Sequence, residues 1–240
     1  MLIDTTFDFR SDATTDDPDR SSPTLRRYHQ LLWSKPLPAG PTFQLDTTTP
    51  HEYLHHRSEL GEFFLSSDSV IATYKGWRGT AEIAARLNSD EVEVFEHIGY
   101  TIGGMMVFPS NKVDDQPTIN SARGMSRRSI ADRMDLTLEC IRRYYVGDAE
   151  TPLGATIQRY ERFFALFQDF RGYVDFFLLQ DLVERDRQEV RYFLPFHGFS
   201  NSAIPADIDS YREFRQNSIA FVTARNQRIA NWAADNLRPA

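Results

Sequence analysis

The sequence predicts a single α+β domain over residues 1–240, with short strands and helices mixed in the N-terminal half and a helical C-terminal half. Three observations lead there. Before Gly124, apolar residues come in brief runs broken by Gly and Pro, as at 62–66 and 70–74. From Ser126 onward they recur at three- and four-residue spacing, the period of a helix. With 240 residues, 41% apolar and 25% charged, the chain can bury a sizeable core, and no shift in composition marks a linker.

The elements follow in order. Residues 5–22 are acidic and turn-rich, which predicts a short strand and then an exposed loop. Ser22-Pro23 starts a helix, with Ser as N-cap and Pro at the first helical position. Leu25, Tyr28, Leu32 and Trp33 form its inner face, and Pro36 and Pro38 stop it. Phe43 and Leu45 alternate with polar residues as in a strand. A helical turn is expected after Pro50, then strands at 62–66 and 70–74. Gly76 and Gly79 precede a helix at 80–87. Residues 92–108 read as strands broken by Gly103-Gly104. A helix follows over 126–145. Thr151-Pro152 opens another, with Leu153, Ile157, Tyr160, Phe164 and Phe167 inside. After Gly172 the segment GYVDFFLLQDLV is apolar nearly all round and therefore central. RYFLPF is strand-like, Ile204-Pro205 marks a loop, and a last helix covers 208–236.

Charge and cysteine usage bound the function. A net charge of −7 argues against broad non-specific attraction to nucleic-acid backbones, which needs a positive surface. The one cysteine, Cys140, has no internal disulfide partner and implies a reduced, cytoplasmic setting. No apolar run approaches the roughly 20 residues that span a bilayer, and the N-terminus lacks a signal-peptide layout, so no membrane role is expected.

Chemistry concentrates at 118–145, TINSARGMSRRSIADRMDLTLECIRRYY. Helical spacing sets an apolar stripe (Ile130, Met134, Leu138, Ile141, Tyr145) beside a crowd of acids and arginines. Asp135 and Glu139, one turn apart, repel unless a cation lies between them. This predicts a polar pocket. Asp132, Asp135 and Glu139 are its candidate acids, bases or Mg²⁺ ligands, and Asn120, Arg123, Arg133 and Arg142 its candidate ligand-binding groups. The competing reading is an ion-pair network that stiffens a scaffold. Separately, His51-Glu52-Tyr53-Leu54-His55 matches the H-E-x-x-H zinc pattern, in which two imidazoles on one helix face bind Zn²⁺. Pro50 and Gly61 leave little helix around it, and a solvated turn is the alternative.

The phrases TFDFRSD, SPTLRRYHQLLWSKPLP, LGEFFLSSDS, TINSARG, DRMDLTLECIRRYY and GYVDFFLLQDLV together resemble a family of uncharacterised bacterial proteins of unknown function. The resemblance runs over nearly the whole chain and implies no residue roles. The residues themselves lead to three expectations. The first is a pocket for an anionic ligand, a nucleotide or nucleic-acid end, with phosphoester hydrolysis as its reaction. The second is a non-catalytic interaction protein. The third is a zinc hydrolase through His51 and His55.

Overall fold

A computed structural model of the chain describes residues 3–46, 54–77, 79–124, 127–186 and 188–237. The chain is α+β. Among the described residues, the named strands all lie in the first half, and the longest helix covers Ile208–Asn236.

Near the N-terminus, α1 (Pro18–Ser21) leads through Ser22 into α2 (Pro23–Trp33). Ser22 Oγ accepts from the Leu25 N–H and Pro23 occupies the first turn, so this start follows the local sequence. Asp12 fastens the junction by accepting from Ser22 Oγ at 2.5 Å and from the Thr24 N–H at 3.1 Å. Strands β1 (Lys35–Pro36) and β2 (Thr42–Phe43) form a minimal antiparallel pair. A second antiparallel sheet runs β3 (Leu54–Ser58), β4 (Gly61–Ser69), β5 (Met105–Pro109), with β4 in the centre. Leu65 faces Leu54 on one side and Pro109 on the other, and Asp68 faces Met106. The segment 5–22 contains a 3-10 turn, Phe9–Ser11, where a strand was expected.

Between β4 and β5 the chain departs from expectation. Residues 70–74 form no strand; instead Tyr74 takes φ +57° and its hydroxyl donates to Ala131 O at 3.0 Å. After the short α3 (Ala81–Ala84), residues 92–98 lie in a helix, α4 (Ser89–Gly99). Asn88 decides this: its side chain accepts from Glu91 N while Glu91 reaches back to Asn88 N, a reciprocal capping box that outweighs the β-branched residues after it.

The second half holds α5 (Ile119–Arg123), α6 (Met134–Tyr145), α7 (Gly154–Arg159), α8 (Glu161–Ala165), α9 (Phe170–Phe176) and α10 (Ile208–Asn236). The helix expected from Ser126 begins only at Met134, because Ala131 and Asp132 both take positive φ, +49° and +61°. The helix expected after Pro152 divides into α7 and α8, and RYFLPF adds no named strand, only an isolated Val183–Val190 bridge beside it.

Rings fill the centre. Phe163, Phe164, Phe167, Tyr173, Phe176 and Phe177 pack on one another and, with Phe43 and Trp33, tie the second half to the first. Arg225 of α10 is fully buried and donates to Gly103 O, Met105 O and Phe177 O at 2.7–3.0 Å. Its neighbour Asn226 accepts from Gly103 N at 2.7 Å. Gly103 is required there, since a Cβ would lie 2.6 Å from Val222 O.

Candidate functional site

The charged segment 120–143 does not converge on one pocket. It divides into three groups. Arg133 and Asp135 form a closed pair: Nε donates to Oδ1 at 3.1 Å and Nη2 bonds Oδ2, with both side chains essentially out of solvent. Their remaining capacity goes to Ala203 O (from Nη1, 3.0 Å) and the Phe193 N–H (to Asp135, 2.9 Å), which pins the 193–203 segment to the start of α6. Burial opposes the Arg133 charge, but Asp135 outweighs it and holds the guanidinium above its ordinary range. Glu139 forms the second group. It accepts from Arg142 at 2.7 and 2.9 Å and from Arg143 at 2.7 Å; burial pushes its carboxyl up, and the two arginines bring it below the usual value.

The third group is different. Arg123 is fully buried, reaching from α5 beneath β4. Its Nη1 lies 2.6 Å from Asp68 Oδ2 and 2.9 Å from Asp132 Oδ1, so one guanidinium holds two acids. Its Nε donates to Thr137 Oγ1 at 3.1 Å, and its Nη2 to Asp132 O at 3.0 Å. The Asp132 N–H returns to Arg123 O at 2.9 Å. Two consecutive left-handed residues, Ala131 and Asp132, cost roughly 1–3 kcal/mol each. The contacts from Arg123 and Tyr74 hold them there and fix where the Asp132 carboxylate stands.

Over the same stretch of β4 lies α1, which brings Asp19 above Asp68. Between them opens a cleft of about 680 Å³ lined by Asp17, Asp19, Phe64, Ser66, Asp68 and Asn120, with Ser67, Ser110 and Lys112 among the other wall residues. Phe64, Ser66 and Asp68 alternate along β4 and so share one face of the sheet. Asn120 spends both amide hydrogens on Ser66 Oγ (3.0 Å) and Ser67 O (3.1 Å). Its carbonyl Oδ1 has no partner, nor have Asp19 Oδ1 and Ser110 Oγ, although all three atoms are buried. Three of the ten unpartnered buried side-chain atoms among the described residues therefore belong to residues of this cleft, and each costs about 1–3 kcal/mol while unpaired. Burial, followed by the fields of Asp68, Asp17 and Asp132, pushes the Asp19 carboxyl up to about 8. Asp68 is pushed up as well, by burial and by Asp132, against the pull of Arg123.

A buried histidine supports the back of the cleft. The Trp33 indole N–H can only donate, and it meets His29 Nδ1 at 3.0 Å. His29 therefore carries its proton on Nε2, which donates to Ser67 Oγ at 3.0 Å. Burial pushes its pKa down to about 3, in keeping with a neutral ring. A serine that accepts from histidine is not being deprotonated by it, so His29 and Ser67 are not a nucleophile–base pair. Ser67 alternates with Ser66 and Asp68 along β4, so its hydroxyl faces α2 on the other side of the sheet.

On the other side of the Arg123 ion pairs, Asp132 lines a second cavity of about 470 Å³, walled by Tyr74, Trp77, Phe95 and Tyr100 with Lys75 and Glu96. Arg123 is the partition between the two.

His51 lies outside the described residues. The helix expected for the zinc pattern is corrected by β3: His55 is on a strand, its Nε2 2.9 Å from Glu62 Oε1 and its ring stacked on Phe64. Among the described residues, no three His, Cys, Asp or Glu side chains are grouped to hold a metal ion. Sequence reasoning singled out Asn120, Arg123 and Asp132 but missed Asp19, Asp68 and His29. The run Ser66–Ser69 was the available sign: four polar residues that continue a strand begun by Phe63, Phe64 and Leu65.

The model of the Family of unknown function (DUF6994) matches residues 3–229, and the chain belongs to that family. No curated protein and no solved structure matches it. Among the described residues, no helix is long and apolar enough to cross a membrane.

Proposed function

We propose that this chain binds a small hydroxylated ligand, of the nucleoside or nucleotide class, in the cleft between α1 and β4, and that Asp19 and Asp68 act on it as acid and base in a hydrolytic step. One observation carries the reading: Asp19, Ser110 and Asn120, all of which line the cleft, each hold a buried oxygen with no partner in the folded chain. A ligand hydroxyl both donates and accepts, and so satisfies such a set. A carboxyl pushed up to about 8 keeps its proton at neutral pH and can deliver it to a leaving group, while a neighbouring carboxylate draws a proton from water.

The expected binding of phosphate by Arg123, Arg133 and Arg142 has less support than ligand hydroxyls do, since each of these arginines already carries a carboxylate partner. A phosphate would meet Lys112 at the cleft wall, and Mg²⁺ would rely on phosphate oxygens to complete its shell. Thermal-shift measurements with adenosine, adenosine monophosphate and glucose, with and without Mg²⁺, test the reading. Adenosine alone raises the melting temperature of the native chain and not of Asp68→Asn. A rise confined to the nucleotide with Mg²⁺ favours the phosphoester reading. No rise with any of them overturns both and leaves the interaction protein.

A further inference from the structure

The chain has 24 arginines and only three lysines, Lys35, Lys75 and Lys112. Lys75 is 66% exposed and bonds Glu96 at 3.0 Å, and Lys112 is exposed. Lys35 is neither. It sits in β1, 9% exposed, and its ammonium nitrogen makes no hydrogen bond or ion pair to any described residue. Three rings surround that nitrogen instead: Phe176 at 4.7 Å, Trp232 at 4.8 Å and Trp33 at 4.9 Å from their centroids.

This cage opens on a cavity of about 490 Å³, walled by Pro36, Leu37, Pro38, Phe176 and Trp232 and edged by Asp169, Arg171 and Asp175. The cavity does not share a lining residue with the cleft at Asp19. Ring faces attract a cation and offset part of the desolvation, but they accept poorly from its three N–H donors. Burial is the chief cause that brings Lys35 down to about 7; buried Arg225 adds to it, and Asp175 opposes it. A lysine largely withdrawn from water and in the field of another cation is a usual way for a protein to make an amine nucleophilic.

We infer that Lys35 is a carbonyl-reactive amine, and that the cavity it faces takes a small aldehyde or ketone on an apolar or aromatic body. The neutral amine attacks the carbonyl carbon. A C–N bond forms as the C–O bond breaks, and both amine protons leave with the oxygen as water. The product is an imine at the same oxidation level, reversible by water. Asp175, already held by the Gln180 amide at 2.8 Å, edges the cavity and can relay a proton to the departing oxygen.

The three lysines provide their own controls. The full chain is incubated at pH 7 with benzaldehyde and sodium cyanoborohydride, which fixes any imine as a stable benzylamine, and the modified lysines are mapped by peptide mass spectrometry. At pH 7 an amine with a pKa near 7 is half neutral, whereas an ordinary lysine is neutral to about one part in 2,000. Lys35 is expected to be modified at least about tenfold faster than Lys75 or Lys112, and its own rate should fall about fiftyfold between pH 7 and pH 5 as it becomes a cation. Modification of Lys75 and Lys112 ahead of Lys35 at pH 7, or a Lys35 rate that rises only above pH 9, overturns the inference. Because the unaltered chain gives the result, failure of Lys35→Met to fold would not obscure it.

Discussion

Two arginine–aspartate groups lie within 15 residues of each other and behave oppositely. Arg133 and Asp135 match donor to acceptor on both sides, and the capacity left over goes to Ala203 O and Phe193 N. No buried atom of that pair lacks a partner. Arg123 instead serves Asp68 and Asp132 at once, and Asp19 stands over them with an oxygen that nothing satisfies. Charge density does not separate the two groups, since both are rich in acids and arginines. What separates them is whether the hydrogen-bonding count closes. A closed pair holds the fold together, and an open one beside a cavity is where a ligand finds partners.

The largest expected effect breaks the closed pair. Arg133→Ala leaves Asp135 buried with no cation and should cost about 3–5 kcal/mol in denaturant unfolding, whereas Arg133→Met with Asp135→Leu recovers most of that. A loss under about 1 kcal/mol would show that the pair is not closed in solution. The open group should respond with the opposite sign. The Asp19 carboxyl is raised in the folded chain, so its contribution is fully present below the unfolded value near 3.8 and is lost as pH rises through about 8. Asp19→Asn should therefore stabilise the chain by about 1–2 kcal/mol at pH 8 and leave it unchanged at pH 4, an amount discounted for the side chain's partial exposure. Melting curves at the two pH values check it, and equal shifts at both would place the Asp19 proton elsewhere. The smallest effect belongs to the third group. Arg142→Ala leaves Glu139 with Arg143 and should cost no more than about 1 kcal/mol.

Where neighbours along the chain supply the partners, the sequence was readable. Ser22-Pro23 starts α2 and α10 runs over the residues its period marks, because caps and helix faces are settled within a few positions. Residues 92–98 were misread for an equally local reason: the Asn88–Glu91 capping box outranked strand propensity.

The sequence by itself determined the α+β class and marked segment 118–145 as the place where acids and arginines crowd beside an apolar stripe. Only the tertiary structure decided which charges face which. Arg123 finds Asp68 across 55 residues, and Asp19 reaches that cleft only because α1 packs on β4. Helical spacing wrongly placed Asp132 beside Asp135 and Glu139, because two left-handed residues turn the chain just before α6 and send Asp132 the other way. A hydrogen bond acts over about 3 Å and is indifferent to distance along the chain, so a site assembled from β4, α1 and α5 leaves little mark on any one stretch of sequence.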